Sequence, residues 1–246
     1  MRIAVLGAAG RMGRMLCALA GGEGLEVVRK IDIAEGCDAG WQTGEIDGVV
    51  DFSFHAAVAG NISKAAAEGI PYVLGTTGLS PDEQRSVDEA AKKIPVVQSG
   101  NYSLGVNLLL DLVRKAAKSL GAGYDIEVVE MHHRHKKDAP SGTALMLAKA
   151  AAEGRGIDFG ANALYGRSGE PGERTADEIA VHALRGGAVV GEHTVMFAGE
   201  LERIELVHKA QSREAFALGA LRALKWAKGK AGGKYDMRDV LGLKEG

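Results

Sequence analysis

The chain has 246 residues, 46% of them hydrophobic, which is enough apolar material for one large domain or two modest ones. Its 30 basic and 32 acidic side chains leave a formal net charge of -2, so bulk charge gives no support for nucleic-acid or membrane-surface binding, and an anion site has to come from local clustering of cations. Two cysteines, Cys17 and Cys37, do not make a disulfide scaffold; no apolar run is long enough to span a bilayer, and the start MRIAVLGAAG lacks the layout of a signal peptide, so a cytoplasmic location is expected. In chain order, short apolar runs at residues 2–6, 27–31, 49–52, 72–74 and 96–98 read as strands. Helical patterns at 11–20, 56–68 and 81–93 alternate with them, the last opened by Ser80 as N-cap and Pro81 at the first helical position. Strands alternating with helices predict a parallel sheet joined by crossovers. After about residue 103 the pattern changes. Val106, Leu109, Leu110, Val113, Ala117 and Leu120 share one helical face, a strand follows at 125–131, and a helix starts near Ser141. Strand-like runs at 179–184, 189–197 and 203–208 follow one another without helices, which predicts an antiparallel or mixed sheet; Gly186-Gly187 reads as a hairpin signal between the first two. A last amphipathic helix covers 213–228. The expectation is two domains, an N-terminal α/β unit and a second unit starting near residue 104, with the placement of the last helix left open by periodicity alone.

The stretch Gly7-Ala8-Ala9-Gly10-Arg11-Met12-Gly13 joins the first strand to the first helix. Glycine there lets backbone approach a pyrophosphate, and a helix N-terminus offers unclaimed N–H groups and a favourable dipole. The spacing is GxxGxxG rather than GxGxxG, so context carries the reading: the loop sits between strand and helix, and Asp32 after the second strand is placed to accept from a ribose diol. Arg11 suits a salt contact to a cofactor phosphate. Asp32 favours NADH, because a carboxylate repels a 2′-phosphate, while Arg11, Arg29 and Lys30 nearby leave NADPH open.

Glu130-Met131-His132-His133-Arg134-His135-Lys136-Lys137-Asp138-Ala139-Pro140-Ser141-Gly142-Thr143 puts six basic or titratable side chains at a strand end and Ser-Gly-Thr at a helix start. Three histidines within four residues raise a metal site, but ligation needs neutral imidazoles and Arg134, Lys136 and Lys137 oppose a dication, so no metal is expected. A polyanion patch is opposed by its shortness, the net acidity and the absence of interleaved aromatics. The third reading is a small-dianion site with its own proton donor: His132 and Lys136 fall on one side, and both suit proton transfer. The bland alternative is a solvated basic loop.

The string HHRHKKDAPSGTAL resembles the signature of the dihydrodipicolinate reductase family, and the likeness extends along nearly the whole chain. VLGAAGRMGR looks like that family's cofactor loop, and Val50-Asp51-Phe52-Ser53, Gly75-Thr76-Thr77-Gly78 and Gly100-Asn101-Tyr102-Ser103 like its later nucleotide-side loops. Arg185-Gly186-Gly187 through Gly191-Glu192-His193-Thr194-Val195 resembles its sheet hairpin, and Tyr235-Asp236-Met237-Arg238-Asp239-Val240-Leu241 its C-terminus. The resemblance implies a Rossmann-like dinucleotide-binding domain at 1–103 and 214–246, with an α+β substrate and oligomerisation domain at 104–213. It implies NADH or NADPH as cofactor, a small dicarboxylate substrate, a homotetramer, and no nucleic-acid or membrane partner. Gly7, Ala8, Ala9, Gly10, Arg11 and Met12 would hold the pyrophosphate, Asp32 the ribose, and Gly75, Thr76, Thr77, Ser99, Gly100, Asn101 and Tyr102 the nicotinamide end. His132 would give or take the proton, Lys136 would donate one, and His133, Ser141, Gly142 and Thr143 would bind carboxylates. Two departures from the family pattern bear on cofactor preference. The segment from Ile33 to Gly48 is short, and the turn after Asp51 reads Phe52-Ser53-Phe54-His55. Two readings compete with this one: a nucleotide-sensing regulatory protein with a redox-inactive Rossmann domain, and an enzyme of the same architecture with another substrate.

Overall fold

In the computed structural model, which describes residues 1–244, strand β1 (Arg2–Leu6) buries Ile3, Ala4, Val5 and Leu6 almost completely. That is the continuous apolar run of a parallel strand covered on both faces. The elements that follow are α1 (Arg11–Leu19), β2 (Glu26–Ile31), β3 (Gly48–Asp51), α2 (His55–Ala67), β4 (Tyr72–Leu74), α3 (Pro81–Ala91), β5 (Pro95–Gln98) and α4 (Leu104–Leu120). After them come β6 (Asp125–His132), α5 (Gly142–Arg155), α6 (Phe159–Asn162), β7 (Ala163–Tyr165), β8 (Ile179–Arg185), β9 (Glu192–Ala198), β10 (Arg203–Lys209), α7 (Glu214–Ala227), β11 (Gly233–Tyr235) and α8 (Met237–Leu241). Two compact units result: Met1–Leu104 with the segment from Glu214 onward, and Gly105–Arg213.

The first unit is a parallel sheet of order β11-β5-β4-β3-β1-β2. Successive side chains along each strand face opposite layers. Ile3, Val5, Val50, Val73 and Val97 pack with Leu16 of α1 and with Ala217, Ala220, Leu221 and Leu224 of α7. Ala4, Leu6, Val49, Tyr72, Leu74 and Val96 pack instead with Val58 and Ile62 of α2 and Val87 of α3. The predicted Ser80 cap is present as a full capping box with Glu83. Between β2 and β3 no helix forms. Residues 32–47 are a loop, pinned by Arg29 to Asp38 and Glu45 and by Arg2 to Asp47.

The second unit is a mixed sheet of order β10-β9-β6-β8-β7, with β6 parallel to β8 and antiparallel to β9. One face packs Ile126, Val128, Ile179, Val181, Val195 and Phe197 on Leu147, Ala148 and Ala151 of α5 and Val113 and Ala117 of α4. The opposite face carries Glu127, paired with Arg167, Arg174 and His182. Burial pushes the Glu127 carboxyl up, but hydrogen bonds from Arg167, His182 and Arg174 outweigh it and hold it down at about 2. The hairpin expected at Gly186-Gly187 is corrected here: β8 and β9 do not pair with each other, because β6 lies between them. The 186–191 connection pairs with the end of β6 instead, through His133 N–H to the Val189 carbonyl (2.8 Å) and Gly186 N–H to the His132 carbonyl (2.9 Å). That pairing is also why β9 starts at Glu192 and not at 189. The short elements α6, β7, β11 and α8 have no counterpart in the sequence reading, since a run of three to five residues carries too little periodicity to register. Among the described residues no helix is long and apolar enough to cross a membrane.

Candidate active site

In the first unit the strand order reverses at β1, with β2 on one side and β3 on the other. The crevice at the carboxyl ends of strands flanking such a switch point is where open α/β sheets bind ligands. The 7–13 loop lies there. Gly7 has φ 75°, and a Cβ on it would lie 2.3 Å from the Phe52 carbonyl oxygen. A Cβ on Gly13 would lie 2.1 Å from the Gly7 carbonyl oxygen, so helix α1 meets the loop backbone with no room for a side chain. Gly10 caps α1 without any side-chain hydrogen bond. A bare helix start beside a side-chain-free cradle fits the diphosphate of a nicotinamide dinucleotide. Ala8 is buried, Arg11 exposed and Met12 half-buried.

Asp32 accepts from the N–H groups of Ala9 (3.0 Å), Ile33 (2.8 Å) and Ala34 (3.3 Å), which fixes its carboxylate at the loop. Arg29, one of the nearby cations that left NADPH open, spends its guanidinium on Asp38 and Glu45. At the ends of β3 and β4 the buried Asp51 accepts from the hydroxyls of Tyr72 and Thr76 and from Ser53 N–H (2.8 Å). Burial and the Asp51 charge push the Tyr72 hydroxyl well above its usual range. Thr76 is thereby turned inward, whereas Thr77 and Gly100 are exposed and Gly75 half-buried. Ser99 donates its hydroxyl to the Asn101 carbonyl (2.7 Å). The Tyr102 hydroxyl sits 2.8 Å from the carbonyls of Leu74 and Val97, so the buried ring clasps β4 to β5 and leaves only its backbone for a ligand.

In the second unit strand alternation builds a polar cluster. Ile126, Val128, Glu130 and His132 occupy successive same-face positions of β6. The first two finish the apolar core, and the last two begin a polar cluster. Register adds the neighbours: His193 of β9 lies opposite Glu130, and Arg185 of β8 lies beside His132. Glu130 is fully buried. It accepts from Arg185 on both oxygens (2.9 Å each), from His132 Nδ1 (2.6 Å) and from Ser141 N–H (3.0 Å). Burial pushes its carboxyl up, but these three partners outweigh burial and lower it. Ser141 caps α5, its Oγ accepting from Ala144 N–H (3.1 Å) and lying 3.0 Å from His193 Nε2. Burial, with the His132 charge behind it, pushes the His193 imidazole down to about 4, so it is neutral at pH 7. Gly142 and Thr143 are the first two helical residues, ahead of the first intrahelical bond. A Cβ on Gly142 would meet nothing within 4 Å.

Lys136 pairs with Asp138 (2.8 Å), so Lys136 and His132 each have their own carboxylate. Next to them His133, Arg134, His135, Val190 and Arg213 line an open cavity of about 730 Å³. Arg213 donates to His133 Nε2 (3.1 Å), which makes Nδ1 the protonated nitrogen; that Nδ1 is buried with no protein partner. Lost solvation, then Arg213, push the His133 imidazole down. Sequence reading singled out His132, His133, Lys136 and Ser141 but gave no role to Glu130, Arg185, His193 or Arg213. The i, i+2 spacing of Glu130 and His132 was a readable signal; the other three arrive from β8, β9 and the residue before α7. No group of three or more His, Cys, Asp or Glu among the described residues is arranged to hold a metal ion.

Residues 1–102 match the family model described as dihydrodipicolinate reductase, N-terminus, and residues 105–241 match its C-terminus counterpart. The 4-hydroxy-tetrahydrodipicolinate reductase of Rhodopseudomonas palustris (strain BisA53) is 48% identical, the alignment covering 99% of this chain and 97% of that protein. The enzyme of the same name from Anaeromyxobacter dehalogenans (strain 2CP-C) is 50% identical, over 96% and 85% of the two chains. Among solved structures, the dipicolinate-bound dihydrodipicolinate reductase from Paenisporosarcina sp. TG-14 shares the fold, with a TM-score of 0.75, 22% identity and coverage of 96% and 97%.

Proposed function

The chain belongs to the dihydrodipicolinate reductase family, and from that premise we propose that it reduces 4-hydroxy-tetrahydrodipicolinate to tetrahydrodipicolinate in lysine and diaminopimelate biosynthesis, drawing on NADH or NADPH. The first unit, with Gly7 to Met12, Asp32, Gly75 to Thr77 and Ser99 to Tyr102, is the dinucleotide-binding domain. The second is the substrate domain. When bound, the reduced nicotinamide supplies a hydride. The chain's own residues do the rest. His133 Nδ1–H and the N–H groups of Gly142 and Thr143 hold the substrate carboxylates, which sets the ring carbon for attack. Ser141 positions that helix start. As the ring is reduced, negative charge develops on it. Lys136 Nζ and the surrounding guanidinium groups stabilise that charge, and Lys136 or His132 delivers the proton that completes the reduction. With the hydroxylated ring bound, the same pair assists loss of water.

The observation that carries this reading is the placement of His132, with a buried carboxylate behind it, beside a cationic cavity and the start of α5. The deciding experiment follows absorbance of the reduced nicotinamide with and without the substrate, for the wild type and for His132→Gln. Consumption that depends on substrate and collapses in the variant supports the reading. Dinucleotide binding without turnover refutes it. The reading makes the protein a cytoplasmic homotetramer; the uncovered face of the second sheet, where Leu184 is 50% and Val207 47% exposed, supports assembly through that sheet. Light scattering that gives a monomer mass contradicts it.

A further inference from the structure

We propose that Glu130 is a positioning residue for the reduction: its carboxylate locks His132 as an Nδ1–H donor, so that Nε2 is the nitrogen that exchanges a proton with the substrate, across a gap kept open by Gly191. The inference rests on the proposed reduction at His132 and deepens it.

The argument starts from the buried carboxylate. Oε1 accepts from Ser141 N–H (3.0 Å) and Arg185 Nη2 (2.9 Å), and Oε2 from Arg185 Nη1 (2.9 Å) and His132 Nδ1 (2.6 Å). Each oxygen therefore has two donors, and the planar guanidinium matches the carboxylate fork to fork. Such an environment keeps the group ionised. An ionised carboxylate only accepts, so the proton of the 2.6 Å contact sits on His132 Nδ1 in both of its charge states. Nε2 is left as the nitrogen that gains and loses a proton.

The second observation is what faces that nitrogen. A Cβ built on Gly191 would lie 3.0 Å from His132 Nε2 and 3.4 Å from Cδ2. Gly191 is absent from the glycines of positive φ, so its backbone conformation admits any residue. What the position excludes is the side chain, and the excluded space is that in front of Nε2.

The groups facing His132 are consistent with proton donation. Glu130 comes from its own strand and Arg185 from β8, with the Arg185 charge matched by Glu130. His193 from β9 sets its ring edge-on at 5.2 Å and is neutral at pH 7. Lys136, from the loop after β6, is paired with Asp138, and α5 presents the uncharged Ser141 to the cluster. In the step itself the His132 imidazolium breaks its Nε2–H bond and gives that proton to the reduced ring. The Nδ1–H bond to Glu130 stays intact, no proton passes to the carboxylate, and water reprotonates Nε2.

The test combines a spectroscopic and a kinetic readout on the full chain. Long-range 1H–15N correlation on 15N-histidine-labelled protein, with His132 assigned by the loss of its signals in His132→Gln, is expected to show the Nδ1–H tautomer in the neutral ring. An Nε2–H tautomer overturns the proposal. Glu130→Gln keeps the volume and removes the ionised acceptor. It is expected to lower kcat roughly 10²–10⁴-fold, to change the pH profile of kcat/KM, and to leave the dinucleotide Kd unchanged. Gly191→Ala, which leaves the buried pair intact, is expected to lower kcat at least about tenfold with the Nδ1–H tautomer retained; it carries the kinetic arm should Glu130→Gln not fold. If His132→Gln is inactive while the Glu130 and Gly191 variants keep the wild-type kcat and pH profile, the proposal fails and the proposed function stands. If His132→Gln turns over like the wild type, the proposed role of His132 fails, and this inference with it.

Discussion

Replacing Gly13 by alanine tests the nucleotide cradle at its tightest point. The new Cβ would stand 2.1 Å from the Gly7 carbonyl oxygen and 2.6 Å from the Ala8 Cα, where ordinary contact begins near 3.4 Å. Both obstacles are backbone, so helix and loop must part by about 1 Å; overpacking of this kind costs about 1–3 kcal/mol. A 1 Å displacement stretches an N–H···O bond of about 2.9 Å beyond bonding range. Loss of one such bond to a charged phosphate weakens binding by about 1.5–3 kcal/mol, which is roughly 10–150-fold in Kd. Titration of the variant with NADH, followed by nicotinamide fluorescence, is expected to show that loss together with a lowered Tm. Gly22→Ala, whose Cβ meets nothing within 4 Å, serves as the control and is expected to bind like the wild type. A Gly13→Ala protein with unchanged NADH affinity and unchanged Tm would refute the assignment of the 7–13 loop as the diphosphate cradle.

Lys136→Ala is expected to lower turnover by roughly 10²–10⁴-fold with little change in dinucleotide affinity; equal losses in both would remove Lys136 from the chemistry. Ser141→Ala deletes the cap of α5 and the partner of buried His193 Nε2, so about 1–2 kcal/mol of stability is expected to go, with a raised KM, both read from urea unfolding and steady-state kinetics. Arg213→Ala is expected to raise the KM for the dicarboxylate substrate in a salt-dependent way, because it removes a cation from the cavity wall; a salt-independent rise would point to a packing role. Acid stability follows from two groups. His193 titrates at about 4 when folded against 6.5 when unfolded, so as pH falls from 6.5 to 4 the unfolded chain takes up a proton that the native one refuses, and stability drops. The full loss below pH 4 is about 3 kcal/mol. Glu127, held down at about 2 against 4.5, contributes above 4.5 and loses that contribution as pH falls toward 2. The urea midpoint at pH 4.5 is therefore expected below that at pH 7, with a smaller difference in His193→Asn; equal midpoints in the wild type would contradict the burial of that imidazole.

The strands and helices of the N-terminal half were legible in the sequence because each is decided locally. Ile3 to Leu6 is an apolar run, Ser80 and Glu83 cap a helix that Pro81 opens, and glycines mark where β1 turns into α1. The concentration of basic side chains ahead of a helix start in the 130–143 stretch was legible too, since these residues are consecutive in the chain. Which groups meet there was not. Gly186-Gly187 has the local grammar of a hairpin, yet β6 lies between β8 and β9, and a turn dipeptide carries no information about a strand more than 50 residues earlier. Arg185, Gly191 and His193 reach Glu130 and His132 only through the register of those two pairings, and a slip of one residue would send each side chain to the other face of the sheet. The sequence by itself determined the residue types of the basic 130–143 stretch and the periodicity of the layers. Only the tertiary structure decided which arginine and which second histidine join Glu130 and His132, because that choice is made by long-range strand pairing, not by any property of the neighbouring residues.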